Sequence, residues 1–133
     1  MSGTISIELL TPKAKAAELD VSEAVLPGIL GEFTVLPDHA PYVAQLGPGI
    51  LRLDGASGPQ AYVIGSGFAE VVGNRLLVLT RSVDAAGDLD AATVRSELDA
   101  AVQAFDKLDQ DAAGYKTAGE EVQRLRSAVE LLS

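Results

Sequence analysis

The chain changes character at Asp84-Ala85-Ala86-Gly87, and the reading of that short stretch decides the fold. Residues 1–84 hold all 6 prolines and 10 of the 13 glycines. Residues 85–133 hold no proline and 3 glycines, and 11 of their 49 residues are alanine. Proline removes a backbone donor and breaks helices, whereas alanine is the residue that helices tolerate best. The break therefore predicts strands and turns before it and helices after it. Charge does not mark the boundary: there are 5 basic and 9 acidic residues before it, and 5 and 10 after it.

Upstream, short apolar or alternating runs lie between turn residues. Ile5–Leu9 alternates and is ended by Thr11-Pro12-Lys13. Glu23–Leu26 is stopped by Pro27-Gly28, and Phe33–Leu36 by Pro37-Asp38. Tyr42–Leu46 and Ile50–Leu53 flank Gly47-Pro48-Gly49. Ala61–Ile64, Phe68–Val72 and Leu76–Thr80 follow, with Gly73-Asn74 between the last two as a tight hairpin signal. About eight or more short strands in so short a stretch predict a β-sandwich or flattened barrel.

Downstream, Val94, Leu98, Ala101, Phe105 and Leu108 are spaced 4, 3, 4, 3. Tyr115, Ala118, Val122, Leu125, Val129 and Leu132 are spaced 3, 4, 3, 4, 3. These are two heptad-like stripes joined by the polar run Asp109–Gly114, and the simplest product is an antiparallel helical hairpin. Asp88 is placed to cap the first helix, and Thr117 with Glu120 resembles a capping box for the second. Each stripe is narrow, so a hairpin of this kind is marginal alone. It is expected to lean on the sandwich or on a partner.

Composition excludes several classes of function. A formal charge of −9 argues against a nucleic-acid or anionic-membrane binder. Aromatics make up 5% of residues and there is no Trp, so no stacking platform for bases is available. Without cysteine there is no thiol catalysis, disulfide or Cys-based metal site, and a single His cannot build a two-His site. No run approaches the roughly 18–20 apolar residues of a membrane span, and the N-terminus shows no signal-peptide pattern. The expectation is a soluble intracellular chain docked on something larger.

Little catalytic chemistry is visible. Gly28-Ile29-Leu30-Gly31 lacks the Gly-Lys-Ser/Thr ending of a phosphate-binding loop. Gly65-Ser66-Gly67-Phe68-Ala69-Glu70 opens like a dinucleotide fingerprint but ends in Glu and is flanked by strands. His39 is the one ordinary acid–base candidate, with Asp38 or Glu32 as partners, in the proline-bracketed loop Leu36–Pro41. No nucleophile elbow accompanies it, and a rigid turn in which His39 bonds the backbone or touches a partner is the simpler reading. The acidic residues Asp88, Asp90, Glu97, Asp99, Glu120 and Glu121 read as helix-start charge and a solvated face. Arg124 and Arg126, late in the second helix, either suit the helix dipole or meet acidic groups on another protein. No catalytic, metal or cofactor site is expected.

The run from Leu26 to Pro41, Leu-Pro-Gly-Ile-Leu-Gly-Glu-Phe-Thr-Val-Leu-Pro-Asp-His-Ala-Pro, resembles the signature of the epsilon-subunit family of F-type ATP synthases, called delta in mitochondria. Its marks are a Pro-Gly turn, Gly-Glu-Phe/Leu, a short strand and Pro-x-His-Ala-Pro. Leu46-Gly47-Pro48-Gly49 matches the family's Leu-x-Pro-Gly turn, and Gly65–Glu70 resembles its Ser-Gly-Gly-Phe-x-Glu segment. The resemblance implies an α+β fold with segregated halves. A β-sandwich of about ten short strands (1–84) precedes a C-terminal antiparallel two-helix hairpin (88–133).

The same resemblance implies a non-catalytic rotor subunit of a proton-translocating ATP synthase. The sandwich would dock on the gamma subunit and the c ring, with Glu32 facing the ring and His39 near both. The hairpin would be a mobile arm that reaches the alpha/beta catalytic head and restrains ATP hydrolysis, with Arg124 and Arg126 facing its acidic groups. Some family members bind ATP through Ile/Leu-Asp-x-x-Arg-Ala. Here the window reads Leu89-Asp90-Ala91-Ala92-Thr93-Val94, so Leu89 and Asp90 remain as candidates while Thr93 replaces the cation a phosphate needs. The alternative is that Leu89 and Asp90 merely begin a helix. Membrane association would be peripheral, through the complex, at the cytoplasmic face of a bacterial cell membrane ahead of an organelle inner or thylakoid membrane. The rival readings are a free-standing β-sandwich adaptor with a hairpin interaction element, and a small hydrolase built on His39.

Overall fold

Ile5, Ile7 and Leu9 point to one side of the first strand and are fully buried, while Ser6, Glu8 and Leu10 point to the other. That two-residue period, repeated strand after strand, builds the core. The computed structural model describes residues 3–133. Ten strands come first: β1 Ile5–Leu10, β2 Lys15–Val21, β3 Glu23–Gly28, β4 Gly31–Val35 and β5 Tyr42–Leu46, then β6 Gly49–Asp54, β7 Gln60–Ile64, β8 Gly67–Val72, β9 Arg75–Thr80 and β10 Val83–Ala85. A 3₁₀ turn at Ala86–Asp88 leads into two helices, α1 Ala91–Asp106 and α2 Tyr115–Leu132.

The strands hydrogen-bond in the order β10-β7-β6-β3-β5-β8-β9-β1-β2, with β4 paired to β3. All pairs are antiparallel except β1 with β9. β3 and β5 meet at one residue pair, Gly28 with Leu46, and there the sheet folds over into two layers. Leu26 of β3 and Leu51 of β6 from one layer, and Ile7 and Leu9 of β1, Val71 of β8 and Val78 of β9 from the other, fill the space between them. Gly73 and Asn74 take φ of 53° and 60°, the double positive φ of a two-residue hairpin turn between β8 and β9.

Ten strands form where local runs suggest about eight. β2 carries Ala16-Ala17 and three charged residues, so little apolar alternation shows; its pairing to β1 makes it a strand. β10 is three residues long and lies on β7. β3 runs on through Pro27-Gly28, which the sequence reads as its stop. Pro27 falls where β3 leaves β6 and has not yet met β5, so its missing N–H interrupts no ladder on that side.

Both helix starts differ from expectation. Asp88 lies in the 3₁₀ turn, and Asp90 caps α1: its carboxylate accepts from the Thr93 backbone N–H at 2.9 Å and the Thr93 hydroxyl at 2.8 Å. α2 starts at Tyr115 behind Gly114, whose φ of 85° turns the chain into the helix with no side-chain cap. Thr117 and Glu120 therefore lie inside the helix and form no capping box. Packing of Tyr115 on Phe105, ring centres 4.7 Å apart, draws the start back by one turn.

The hairpin leans on the sandwich. Val63, on the outer face of β7, joins Val94 of α1 and Leu125 and Ala128 of α2 in a second buried cluster. Leu89, Leu98, Ala101, Val129 and Leu132 surround it. The heptad stripes thus form a seam closed from below by one side of the sheet. Leu108, the last member of the first stripe, lies beyond the end of α1.

Candidate functional site

Three surfaces carry the features that sequence singled out. The first is the tip of the β3–β4 hairpin. Leu30 is 96% exposed and Ile29 55%, an unusual place for two aliphatic side chains. Glu32 stands exposed at the start of β4, opposite Pro27. Between this tip and β5 runs a groove of about 470 Å³ lined by Ile29, Leu30, Glu32, Phe33, Tyr42 and Val43. Phe33 meets Tyr42 edge-on at 5.4 Å.

His39 stands beside that groove, its ring centre 6.1 Å from Tyr42. Its backbone N–H donates to the Leu36 carbonyl at 3.1 Å, and Nδ1 donates to the Ala40 carbonyl at 2.6 Å. Among the described residues, no serine, Asp38 or Glu32 side chain bonds the ring. The pairing required by a His39 hydrolase is not formed, because the proline-bracketed turn spends the ring's Nδ1 on its own backbone. Asp38 instead takes a φ of 66° and is tied to Asn74.

The second surface is one that the sequence analysis does not single out. β5, β8 and β9 present apolar side chains outward as well as inward. Val43 is 67% exposed, Phe68 57%, Val72 55%, Leu79 45% and Leu77 37%. Register puts Phe68 between Gln45 and Leu79, and Leu10 of β1 beyond Leu79. The next row reads Val43, Glu70, Leu77 and Glu8. Glu8 is held by Arg75 at 3.6 Å and Lys15 at 3.4 Å, so the patch has a polar rim. Leu76-Leu77-Val78-Leu79 carried the signal: a run apolar at every position is covered on both faces somewhere.

The third surface is the contact of the hairpin with the sandwich. Arg124, on α2, is only 16% exposed at its side chain. Its guanidinium grips Glu121 in a fork of 2.6 and 3.1 Å and reaches Asp84 of β10 at 3.4 Å. The bonds it donates to Glu121, partly opposed by burial, and the nearby charges of Glu121, Asp84 and Glu97 push its pKa above the ordinary guanidinium value. Glu120 lies 3.5 Å from the Ser66 hydroxyl. Arg126 is exposed on the opposite side of α2, with no ion pair among the described residues, so the two arginines do not share a face.

Leu89 packs at the margin of the second cluster and Asp90 is occupied as a cap. Bonds from the Thr93 hydroxyl and backbone N–H hold the Asp90 carboxyl below its ordinary value. Thr93, the residue standing where the ATP-binding pattern has its cation, is the partner in that cap. No described helix is long and apolar enough to cross a membrane.

A β-sandwich with an exposed apolar face and an appended two-helix hairpin is an architecture arranged around a contact surface. The family model described as the ATP synthase delta/epsilon chain beta-sandwich domain matches residues 4–86. An ATP synthase epsilon chain of Rhodobacter capsulatus is 38% identical over 78% of this chain and 72% of its own length. One of Fuscovulum blasticum is 31% identical over 96% of this chain and 98% of its own. The fold is similar to a chain in the mitochondrial ATP synthase of Euglena gracilis (OSCP, F1 and c ring). The TM-score is 0.84 at 22% identity, covering 100% of this chain and 84% of that one. The chain belongs to the ATP synthase delta/epsilon family and is a non-catalytic subunit.

Proposed function

We propose that this chain works in the central stalk as a rotor subunit that couples the catalytic head to the c ring and restrains ATP hydrolysis. The observation that carries the reading is the outward apolar face of β5, β8 and β9 on a family member with no chemistry of its own. A monomer seldom leaves so many contiguous large apolar residues in water, and a stable partner is the usual reason for them. That face docks on the gamma subunit. The β3–β4 tip, with Ile29, Leu30 and Glu32, meets the c ring, and His39 stands between the two contacts.

The hairpin is the regulatory arm. Folded down, it rests on Val63. Extended, it reaches the alpha/beta head, where Arg124 and Arg126 face acidic groups. An element held by a small apolar contact suits a two-position device, because modest differential contacts shift its population. The whole chain's net charge of −9 keeps it from binding an anionic bilayer directly, so it is peripheral, carried at the cytoplasmic face by the ring.

The test is co-purification with the gamma subunit of the same organism, followed by ATPase assay of the reconstituted head with and without this chain. A stoichiometric complex that slows hydrolysis is expected. Failure to bind gamma would overturn the rotor reading and leave the adaptor reading in its place.

A further inference from the structure

Asp84 and Val63 are register partners across β10 and β7, and both face the hairpin. Arg124 and Leu125 are neighbours on α2, Leu125 buried in the cluster around Val63 and Arg124 paired with Asp84. The ion pair therefore lies directly beside the apolar contact that holds the hairpin down. We infer that Asp84 is an intramolecular latch, which occupies Arg124 while the hairpin is folded and competes with an acidic partner surface for the same guanidinium. The inference rests on the rotor reading for its consequence, not for its geometry.

Glu121 sits three residues before Arg124 on the same helix and travels with it, so its fork is kept in either position. Glu97, also near the guanidinium, is on α1 and moves with the hairpin too. Asp84 alone belongs to the sandwich. It is the one charge partner that must be given up when the arm leaves, and the one whose loss exposes a cation for another carboxylate. The Arg124 side chain is 16% exposed and that of Asp84 41%, so the pair is partly screened and its worth lies in the range of a surface bridge, about 1 kcal/mol.

The chain has no cysteine, so spin labels can be placed on Ser57→Cys in the β6–β7 turn and Ser96→Cys on α1, both exposed. Distances between the labels report folded and open hairpins in the full chain without any partner. Asp84→Asn and Arg124→Gln should each raise the open population roughly fivefold, and the double variant no further, because the two act through one contact. In the reconstituted head the two variants should part company. Asp84→Asn should inhibit hydrolysis more strongly than the natural chain, since its arm opens with Arg124 intact. Arg124→Gln should inhibit less despite opening equally. An unchanged open population in Asp84→Asn, or additive effects in the double variant, would overturn the latch while leaving the rotor reading standing. If no form of the chain inhibits, the regulatory part of the rotor reading fails, gamma binding still decides the rest of it, and the label distances still decide the latch.

Discussion

Asp38 and Asn74 clasp two distant turns: the Asn74 side-chain oxygen accepts the Asp38 backbone N–H at 2.5 Å, and its amide nitrogen donates to the Asp38 carboxylate at 3.0 Å. Both residues have positive φ, so each turn is set in a conformation that the other one holds. The clasp ties the loop carrying His39 to the β8–β9 hairpin. Asn74→Gly keeps the turn geometry and removes both bonds. It should destabilise the fold by about 1–2 kcal/mol in chemical denaturation and speed amide exchange at His39. Unchanged exchange at His39 would show that the loop is held by its prolines alone.

Gly67 is where β8 passes closest to β9. A Cβ there would land on the Leu79 carbonyl oxygen and within 2.7 Å of the Thr80 Cα, backbone atoms that cannot rotate away. Gly67→Ala should cost about 3 kcal/mol or prevent folding. Gly87→Ala, whose Cβ would meet open space, should leave the midpoint of unfolding almost unmoved.

Phe68 and Leu79 are adjacent on the outer face and contribute nothing to the core. Phe68→Ala should leave thermal unfolding within a degree or two and weaken gamma binding by about 2 kcal/mol, roughly thirtyfold in Kd. A variant that unfolds easily while binding normally would place this face in the fold rather than in an interface.

The Asp90 carboxyl is held below its ordinary value by the Thr93 hydroxyl and backbone N–H. A depressed folded value means that the charged cap stabilises α1 above the unfolded carboxylate pKa and is lost as pH falls through the lower folded one. Amide exchange in the first turn of α1 should therefore quicken in acid, below the ordinary carboxylate range. Asp90→Asn should exchange at a rate independent of pH there, after correction for intrinsic chemistry.

Leu125 is 3% exposed and central to the second cluster. Leu125→Ala should remove about 2–5 kcal/mol of hairpin docking, with the open population rising accordingly. The sandwich should still melt cooperatively, since its own core contains neither helix.

What the sequence disclosed follows from where the deciding forces act. The Gly73-Asn74 turn was legible because its backbone demand is met by those two residues alone. The helical stripes were legible because one seam accounts for them. β2 was hidden because Glu18 and Asp20 belong to a half-wet edge, where pairing to β1 outweighs propensity. Asp88, the expected cap, is taken up by the 3₁₀ turn at Ala86–Asp88, so the capping passes to Asp90. Glu32, His39 and Arg126 were singled out through the family resemblance, and they stand on exposed or half-exposed ground. The partner of Arg124 lies forty residues away, and no periodicity points to it.

Ser6 pairs with Arg75 and Leu10 with Leu79, in the sandwich's one parallel ladder. During synthesis β1 therefore finishes its sheet only after β9 has emerged. Until then Ile5, Ile7 and Leu9 have β2 for company and no complete core to enter. Such distant closure is slow to form. Nascent chains stalled before Thr80 leaves the exit tunnel should be cut readily by protease, and chains stalled well beyond it should resist. The sandwich is thus a domain that its own synthesis holds open almost to the end, sealed by the joining of its oldest strand to one of its youngest.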